Sequence, residues 1–328
     1  MNRTVSLIAC MIVVFLAGCS SIQSALHPTG VEAERVATLF WIMTIGGTLI
    51  MVLVIVAAAL AIYGGRLRAS LSSERFVMAM GLAFPVVVLT ALLIYGFALM
   101  RAGEPQQTNP DGLRVEIAGE LWWWRVTYVT PDGRRVNAAN ELHLPVGQPV
   151  EIALTSTNVI HSFWAPQLAG KLDMIPGRTN TLTVTATEEG ISRGQCAEYC
   201  GGAHALMAFH LVAQSPEDFS AWLEAEASAA AQPQTDLASE GQTLFAQTGC
   251  GACHTVRGTG ARGTIGPDLT HVGSRHSLAA ATLPNTAQAF ARWIDDNQHI
   301  KPDNKMPSYE ILSERQIDAL ATYLEGLQ

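Results

Sequence analysis

The sequence predicts two transmembrane α-helices, then an antiparallel β-sandwich, then a small all-α domain. Three observations carry this. Two runs near the N-terminus, Val36–Gly65 and Phe76–Met100, contain no charged side chain. The middle of the chain consists of short segments that alternate apolar and polar residues between turn signals. The C-terminal part reads as helices around glycine-rich loops.

Of the 328 residues, 49% are hydrophobic and 15% are charged. The excess of apolar residues sits in those two runs, so a helical pair is expected within residues 31–101, over about 36–63 and 76–100. A helix over Phe76–Met100 is about 37 Å long, enough to cross a hydrocarbon core of about 30 Å with some tilt. Pro85 is tolerable inside a membrane helix. The loop between the runs holds Arg66, Arg68 and Arg75 against Glu74. Positive loops stay in the cytoplasm, which places both the N-terminus and everything after Met100 on the outer face. Residues 1–19 have the shape of an export signal: Arg3, an apolar core from Val5 to Ala17, then Leu16-Ala17-Gly18-Cys19. That ending resembles a bacterial lipoprotein processing site with Cys19 as the lipidated residue; an uncleaved apolar leader is the alternative. The expected location is a bacterial inner membrane, crossed more than once, with the folded domains outside. The net charge of −8 argues against nucleic acid as a partner.

Residues 111–228 form the expected sandwich. Its strand-like segments include Leu113–Ala118, Trp122–Val129, Val150–Leu154 and Thr181–Ala186, separated by turns such as Pro131-Asp132-Gly133 and Pro145-Val146-Gly147. Ser215–Ala230 reads as a helix opened by Ser215-Pro216-Glu217-Asp218. An Ala/Gln/Pro linker covers 229–236. In the remaining domain, 237–328, helices are expected over Leu237–Gln247, Ala287–Asn297 and Ser313–Leu327.

Cys250-Gly251-Ala252-Cys253-His254 is a C-x-x-C-H, the pattern for covalent attachment of haem c. Two thioethers fix the porphyrin edge, and the next residue is a histidine placed to bind iron from one face. A zinc site would want a second ligand pair, and none follows. A thioredoxin-like motif would want a βαβ context. Met306 is the only methionine after the motif and the candidate for the sixth ligand; His271, His276 and His299 compete. The domain resembles class I cytochrome c, with Ile265-Gly266-Pro267-Asp268-Leu269, a Met-Pro loop and a C-terminal helix containing Ala321-Thr322-Tyr323-Leu324. That resemblance implies that the Pro267 carbonyl orients His254.

A second constellation, Cys196-Ala197-Glu198-Tyr199-Cys200-Gly201-Gly202-Ala203-His204-Ala205-Leu206-Met207, has the spacing C-x3-C-x3-H-x2-M. Thiolate, imidazole and thioether together suit copper. A blue-copper site needs one cysteine, whereas two thiolates can bridge two coppers. His161, in Ile160-His161-Ser162-Phe163-Trp164, is the candidate further ligand from another strand. A Cys196–Cys200 disulfide and a zinc site remain open on spacing alone, although zinc rarely recruits methionine.

The copper loop, together with Trp122-Trp123-Trp124, Lys171-Leu172-Asp173-Met174-Ile175-Pro176-Gly177-Arg178 and the two preceding membrane helices, resembles subunit II of cytochrome c oxidase. The resemblance spans roughly Val31 to Val212. It implies a cupredoxin-like sandwich holding the dinuclear CuA centre through His161, Cys196, Cys200, His204 and Met207, with the backbone carbonyl of Glu198. It implies magnesium at the Glu198 carboxylate, shared with subunit I. Trp122 corresponds to the aromatic by which electrons reach the copper; packing or an interfacial belt accounts for Trp123 and Trp124. Asp173 and Arg178 match positions near the subunit I boundary. Some subunits II carry a fused cytochrome c domain. One departure concerns protons: many relatives have a glutamate early in the second helix, where this chain has Met78 among apolar neighbours, and Glu74 lies further out. His210 stands where an aliphatic strand residue is usual, and no role follows.

The implied function is electron input to a haem–copper oxidase, an oxidoreductase and translocase. Electrons from cytochrome c or a similar donor pass through the chain's haem c to CuA and on to subunit I, with subunit III as a further partner. Oxygen reduction belongs to another chain, because no histidine cluster lies within these membrane helices. The rival reading is a membrane-tethered electron shuttle or copper-binding module without an oxidase. Nitrous oxide reductases share the copper loop but add a histidine-rich propeller, and nitric oxide reductase small subunits lack the loop.

Overall fold

The computed structural model describes residues 21–102 and 112–328. The expected export signal, Cys19 and the first residue of the expected sandwich lie outside the described residues. The chain divides into a helical unit that begins at Glu32 and a second unit that holds the remainder beyond the helices together with the segment ending at Val31.

In the helical unit, α1 is Val31–Tyr63 and a short α2, Arg66–Leu71, follows. The second span is one continuous rod of α3 (Glu74–Met78), a π turn (Ala79–Ala83) and α4 (Phe84–Ala102). Pro85 explains the wide turn. It has no N–H to donate one turn back, and a π turn is how a helix absorbs such a missing bond. Both spans are long and apolar enough to cross a membrane, and the most apolar stretch of each contains no residue buried by the chain itself. Side chains such as Leu49, Val54 and Leu93 are exposed, and hydrocarbon is the surrounding that would cover them.

The second unit begins with ten strands: β1 Arg114–Glu120, β2 Trp123–Val129, β3 Arg135–Ala139, β4 Glu141–Pro145, β5 Val150–Ser156, β6 His161–Trp164, β7 Leu172–Met174, β8 Asn180–Val184, β9 Gly190–Cys196 and β10 Ala208–Gln214. They form two sheets, in the orders β3-β2-β1-β5-β8 and β4-β10-β9-β6-β7. Pairing is mostly antiparallel, with one parallel pair in each sheet, β1 with β5 and β4 with β10. Along β1 every second residue is buried, which is the period of a strand with one wet face.

The core between the sheets centres on Trp124, Phe163 and Phe209. Phe163 and Phe209 stack at 5.0 Å between centroids, and Trp124 meets them edge-on at 6.1 and 5.2 Å. Gly194 lies opposite Phe209 in the β9–β10 register, and a Cβ there would come within 2.1 Å of the Phe209 ring. The ring occupies the space that any side chain on residue 194 would need. Helix α5, Pro216–Ala227, is capped by the Ser215 hydroxyl, which accepts from the Asp218 N–H at 3.0 Å. It lays Phe219, Trp222 and Leu223 on Tyr128 and His143.

The C-terminal domain has α6 Asp236–Gln247, α7 Ala287–Asp295, α8 Asn297–Ile300 and α9 Glu314–Glu325, with a small hairpin of β11 (Ser277–Leu278) and β12 (Leu283–Pro284). Helices α6 and α9 cross where Gly241 meets α9: a Cβ on Gly241 would sit 2.0 Å from the Ala319 carbonyl oxygen. Phe245 and Tyr323 pack beside that crossing at 5.8 Å. Ser313 and Gln316 form a capping box at the start of α9.

The expected helices match these to within a few residues, because their caps and periodicity are local. The expected strand at Trp122 starts one residue later, since Leu121 and Trp122 form the turn between β1 and β2. Strands β4, β6, β9 and β10 are less legible. All five residues of β4 are buried, so it shows no alternation, and β9 carries two glycines. Replacing Phe209 with alanine removes the aromatic that fills the space over Gly194. Phe209→Ala should destabilise the sandwich by about 3–5 kcal/mol, measured as a lower denaturant midpoint for tryptophan fluorescence in the full chain.

Candidate metal and cofactor sites

Strands β9 and β10 are adjacent, and the segment between them is the copper-like loop. Cys196 ends β9; Cys200 follows in the loop, His204 opens a 3-10 turn, and Met207 precedes β10. β6 pairs with the far side of β9 at Phe163 and Cys196, which brings His161 to the same end of the sheet. The His161 Nδ1 is 3.8 Å from the Cys196 Sγ. The two sulfurs are 3.7 Å apart, too far for a disulfide, and both cysteines are free. The Cys200 Sγ is 3.5 Å from the His204 Nδ1 and 3.9 Å from the Met207 Sδ. The Glu198 carbonyl oxygen is 3.1 Å from the Cys196 Sγ. Five side chains and one carbonyl therefore converge on one buried spot, with His161, Cys196 and Cys200 forming its tightest group. Two thiolates beside two imidazoles and a thioether form a donor set that fits soft metal ions.

The thiols divide unequally. The hydrogen bond with Cys200 holds the Cys196 thiol down to about 3, with His161 and nearby backbone groups adding to it against the cost of burial. Cys200 is pushed up, first by that same bond and then by burial. Without metal, the pair shares one proton and Cys196 carries the charge.

Several groups outside the motif shape this spot. Gly119 on β1 lies under His161, and a Cβ there would meet the ring at 2.6 Å. The His161 Nε2 is 3.3 Å from the Asn158 Oδ1, which fixes the far side of the ring. The Trp122 indole N–H donates to the Cys200 carbonyl at 2.9 Å. Gly201, at φ 114°, lies against that indole, with Trp122 Cζ2 3.0 Å from where its Cβ would be. Gly119 has no local signature, because it is defined by His161 on another strand, whereas Asn158 stands three residues before His161 and was open to a local reading.

In the C-terminal domain a cavity of about 500 Å³ is lined by Cys250, Cys253, His254 and Met306 among apolar residues including Phe245, Leu269, Phe290 and Leu320. Its size and lining suit a large planar cofactor. The His254 Nδ1 is 2.8 Å from the Pro267 carbonyl, so that N–H donates and the Nε2 is left to face the cavity. Burial lowers the basicity of His254, and the Pro267 bond opposes it. Gly266 makes the approach possible, as a Cβ there would be 2.5 Å from the His254 Cε1. Of Met306, His271, His276 and His299, only Met306 lines the cavity. Its loop is braced by amides: the Met306 N–H donates to Asn304 Oδ1, and Gln298 Nε2 donates to the Met306 carbonyl, both at 2.9 Å. Asn297 Nδ2 donates to the Pro307 carbonyl at 3.0 Å.

Other expected positions lie apart from these clusters. The Glu198 carboxylate is exposed, with its Oε1 accepting from the Tyr199 N–H at 3.2 Å. Asp173 and Arg178 are exposed on β7 and the turn after it, although Asp173 stands opposite Ser162, next to His161. Trp124 is core, and Trp123 carries the Arg125 guanidinium over its ring at 4.6 Å. His210 is half-buried. Its ring is 5.9 Å from that of His276, and its Nδ1 has no hydrogen-bond partner.

The sandwich and the C-terminal domain belong to the same compact unit. The expected linker is held at its start, where Arg257 donates to the carbonyls of Glu226 and Ser228 and the Ala230 N–H donates to the Arg257 carbonyl. The cavity wall includes Leu121, Trp122 and Trp123 of the sandwich. Trp122 is 6% exposed, so it meets the cavity rather than solvent. Beside it, Lys301 is buried with its Nζ hydrogen-bonded to the carbonyls of Trp122, Leu206 and Ala279 at 2.7, 2.9 and 3.0 Å. Burial pulls the Lys301 ammonium down to about 7, with the charge of the Cys200 site opposing. Its carbonyl acceptors are the groups able to hold the proton there.

Residues 125–214 match the family profile "Cytochrome C oxidase subunit II, periplasmic domain", and residues 238–328 match "Cytochrome c". Cytochrome c oxidase subunit 2 of Alkalihalophilus pseudofirmus is 34% identical over 244 residues, covering 74% of this chain and 70% of that one. The Bacillus subtilis subunit 2 is 33% identical, covering 75% and 70%. The crystal structure of the periplasmic domain of subunit II of cytochrome oxidase from Bradyrhizobium japonicum is similar at 29% identity and a TM-score of 0.33, covering 35% of this chain and 94% of that one.

The unequal thiols give a pH signature. A depressed thiol stays ionised until the pH falls through its own value. The metal-free chain should therefore keep one thiolate per molecule well below neutral pH, and lose it towards about 3. Ultraviolet thiolate absorbance measures this, and Cys196→Ser should abolish the low-pH signal.

Proposed function

The chain belongs to the cytochrome c oxidase subunit 2 family, and we propose that it is the electron-input arm of its oxidase, with a haem c and a dinuclear CuA centre in series. As subunit II with a cytochrome c domain, it is part of an oxidoreductase complex, works with subunit I and receives electrons from a cytochrome c donor. Bound haem and copper would each supply one-electron redox chemistry, in the order donor, haem c, CuA, subunit I.

The residues divide the work. His161, Cys196, Cys200, His204, Met207 and the Glu198 carbonyl would hold copper. Two thiolates, two imidazoles, a thioether and a carbonyl are more donors than one tetrahedral ion takes and enough for two, and this carries the reading. Cys250 and Cys253 would hold haem covalently, and His254 and Met306 would bind its iron. The Pro267 carbonyl fixes the tautomer of His254, and Gly266 permits its position. Burial of Cys196, Cys200 and Met207 keeps water from the metal. Trp122 spans the two sites, with its ring in the cavity wall and its N–H on the Cys200 carbonyl.

We further assign the exposed Glu198 carboxylate to magnesium at the subunit I boundary. Asp173 and Arg178 belong to the same boundary, and subunit III is a further partner in the complex. The two helices cross the inner membrane and leave the folded domains on the outer side, as the arginine-bearing loop requires. A tethered shuttle without an oxidase would need neither two spans nor the Asp173 and Glu198 surface.

Metal analysis of the purified full chain should give two coppers per haem, with a mixed-valence copper signal beside a low-spin haem. One copper per haem, or none, overturns the reading. Gly119→Ala should force the His161 ring away, lowering copper occupancy and changing the copper spectrum while the haem spectrum stays unchanged.

A further inference from the structure

The haem cavity and the copper loop meet across one set of hydrogen bonds, and Lys301 is their centre. It lies on the cytochrome domain just after α8, and 2% of it is exposed. Two of its three carbonyl partners belong to the sandwich. One is on Trp122, whose ring faces the cavity and whose N–H holds the Cys200 carbonyl. The other is on Leu206, next in sequence to Met207. The third, on Ala279, lies in the β11–β12 turn of the cytochrome domain. An ammonium has three protons, and here each has an acceptor.

The same turn makes a second connection. Ala279, Ala280 and Ala281 all have positive φ, at 53°, 61° and 59°. Three successive left-handed alanines are unfavourable in an isolated chain and persist only where surroundings hold them. Here the Ala280 carbonyl accepts from the Ala208 N–H at 3.2 Å, and the Thr282 hydroxyl stands between the Ala279 and Leu206 carbonyls, at 2.8 and 3.2 Å. The turn and Lys301 thus hold the C-terminal end of the copper-site segment, at Leu206–Ala208, and Lys301 also holds Trp122, which is bonded to Cys200.

We propose that Lys301 is a positioning residue for intramolecular electron transfer: it latches the cytochrome domain onto the sandwich so that the haem cavity stays against Trp122. This rests on the haem-to-copper order proposed above. Lys301 lines the cavity wall, but its hydrogen bonds go to backbone carbonyls and not to the iron-ligand candidates or the copper-ligand side chains, so its removal should leave both sites formed but loosen the gap between them.

The test uses the full metallated chain in detergent, with Lys301→Met, which keeps bulk but removes the donors, and the near-isosteric Thr282→Val, which removes the hydroxyl between the Ala279 and Leu206 carbonyls. Two quantities are read: hydrogen exchange at the Ala208 amide, and the rate of electron equilibration after the haem is photoreduced. Lys301→Met should speed Ala208 exchange about tenfold or more. It should slow haem-to-copper equilibration about tenfold or more, with the spectra of both sites unchanged. Thr282→Val should shift both quantities less, in the same directions, and decides the matter if Lys301→Met does not fold. Wild-type exchange and equilibration in the variants overturn the proposal. So do altered haem or copper spectra, which would mean that Lys301 shapes a site. If wild-type chain shows no haem-to-copper transfer, the proposed order fails instead, and the Ala208 exchange still tests the latch.

Discussion

The outer unit depends on the hydrogen bond from the Trp122 indole to the Cys200 carbonyl. That bond fastens the copper-like loop to the β1–β2 turn, and the same indole closes one wall of the haem cavity. An indole N–H has one proton to donate, so the choice of Cys200 fixes the ring's orientation and leaves its apolar face for the cavity. Two cofactor sites built by separate domains therefore share a side chain, and the cavity wall is complete only with the sandwich in place.

Close approach is the second constraint, and glycine provides it. Gly119 lies under His161, Gly194 under Phe209, and Gly266 beside His254. Each position would be filled by its neighbour's ring if it bore a side chain. His161 and His254 are thus held in the same way, each by a glycine whose missing Cβ leaves room for the ring and by a hydrogen-bond acceptor, Asn158 or Pro267. Ring orientation is set before any metal binds, which reduces the rearrangement that binding or a change of charge demands.

Buried polar groups mark the seam between the two domains. Glu141 is buried, with one oxygen 3.3 Å from the His143 Nε2 and the other accepting from the His276 N–H at 2.5 Å. Arg125 reaches the Thr264 carbonyl at 2.9 Å, and Lys301 meets three carbonyls. A seam made of directed hydrogen bonds specifies one docking geometry, where a purely apolar seam would permit sliding. The potential of each site depends on the burial that this geometry imposes.

The sequence by itself determined what depends on local spacing. C-x-x-C-H and C-x3-C-x3-H-x2-M name donor sets, because ligands a few residues apart must share one side of a loop or turn. The uncharged runs around Leu49 and Leu93 name membrane helices, because composition alone decides their solvent. The caps at Ser215 and Ser313 set helix starts by bonds within one turn. Even Met306 and His161 were accessible as the best-placed residues of the right chemistry. Tertiary structure alone decided the rest. It selected Met306 over three histidines by which side chain lines the cavity, and it separated the two thiols by 3.7 Å rather than joining them. It also gave roles to Gly119, Asn158, Thr282 and Lys301. Gly119, Thr282 and Lys301 meet residues far off in the chain, and a contact across strands or domains leaves no pattern in a single sequence, because it is made by the fold and not by spacing.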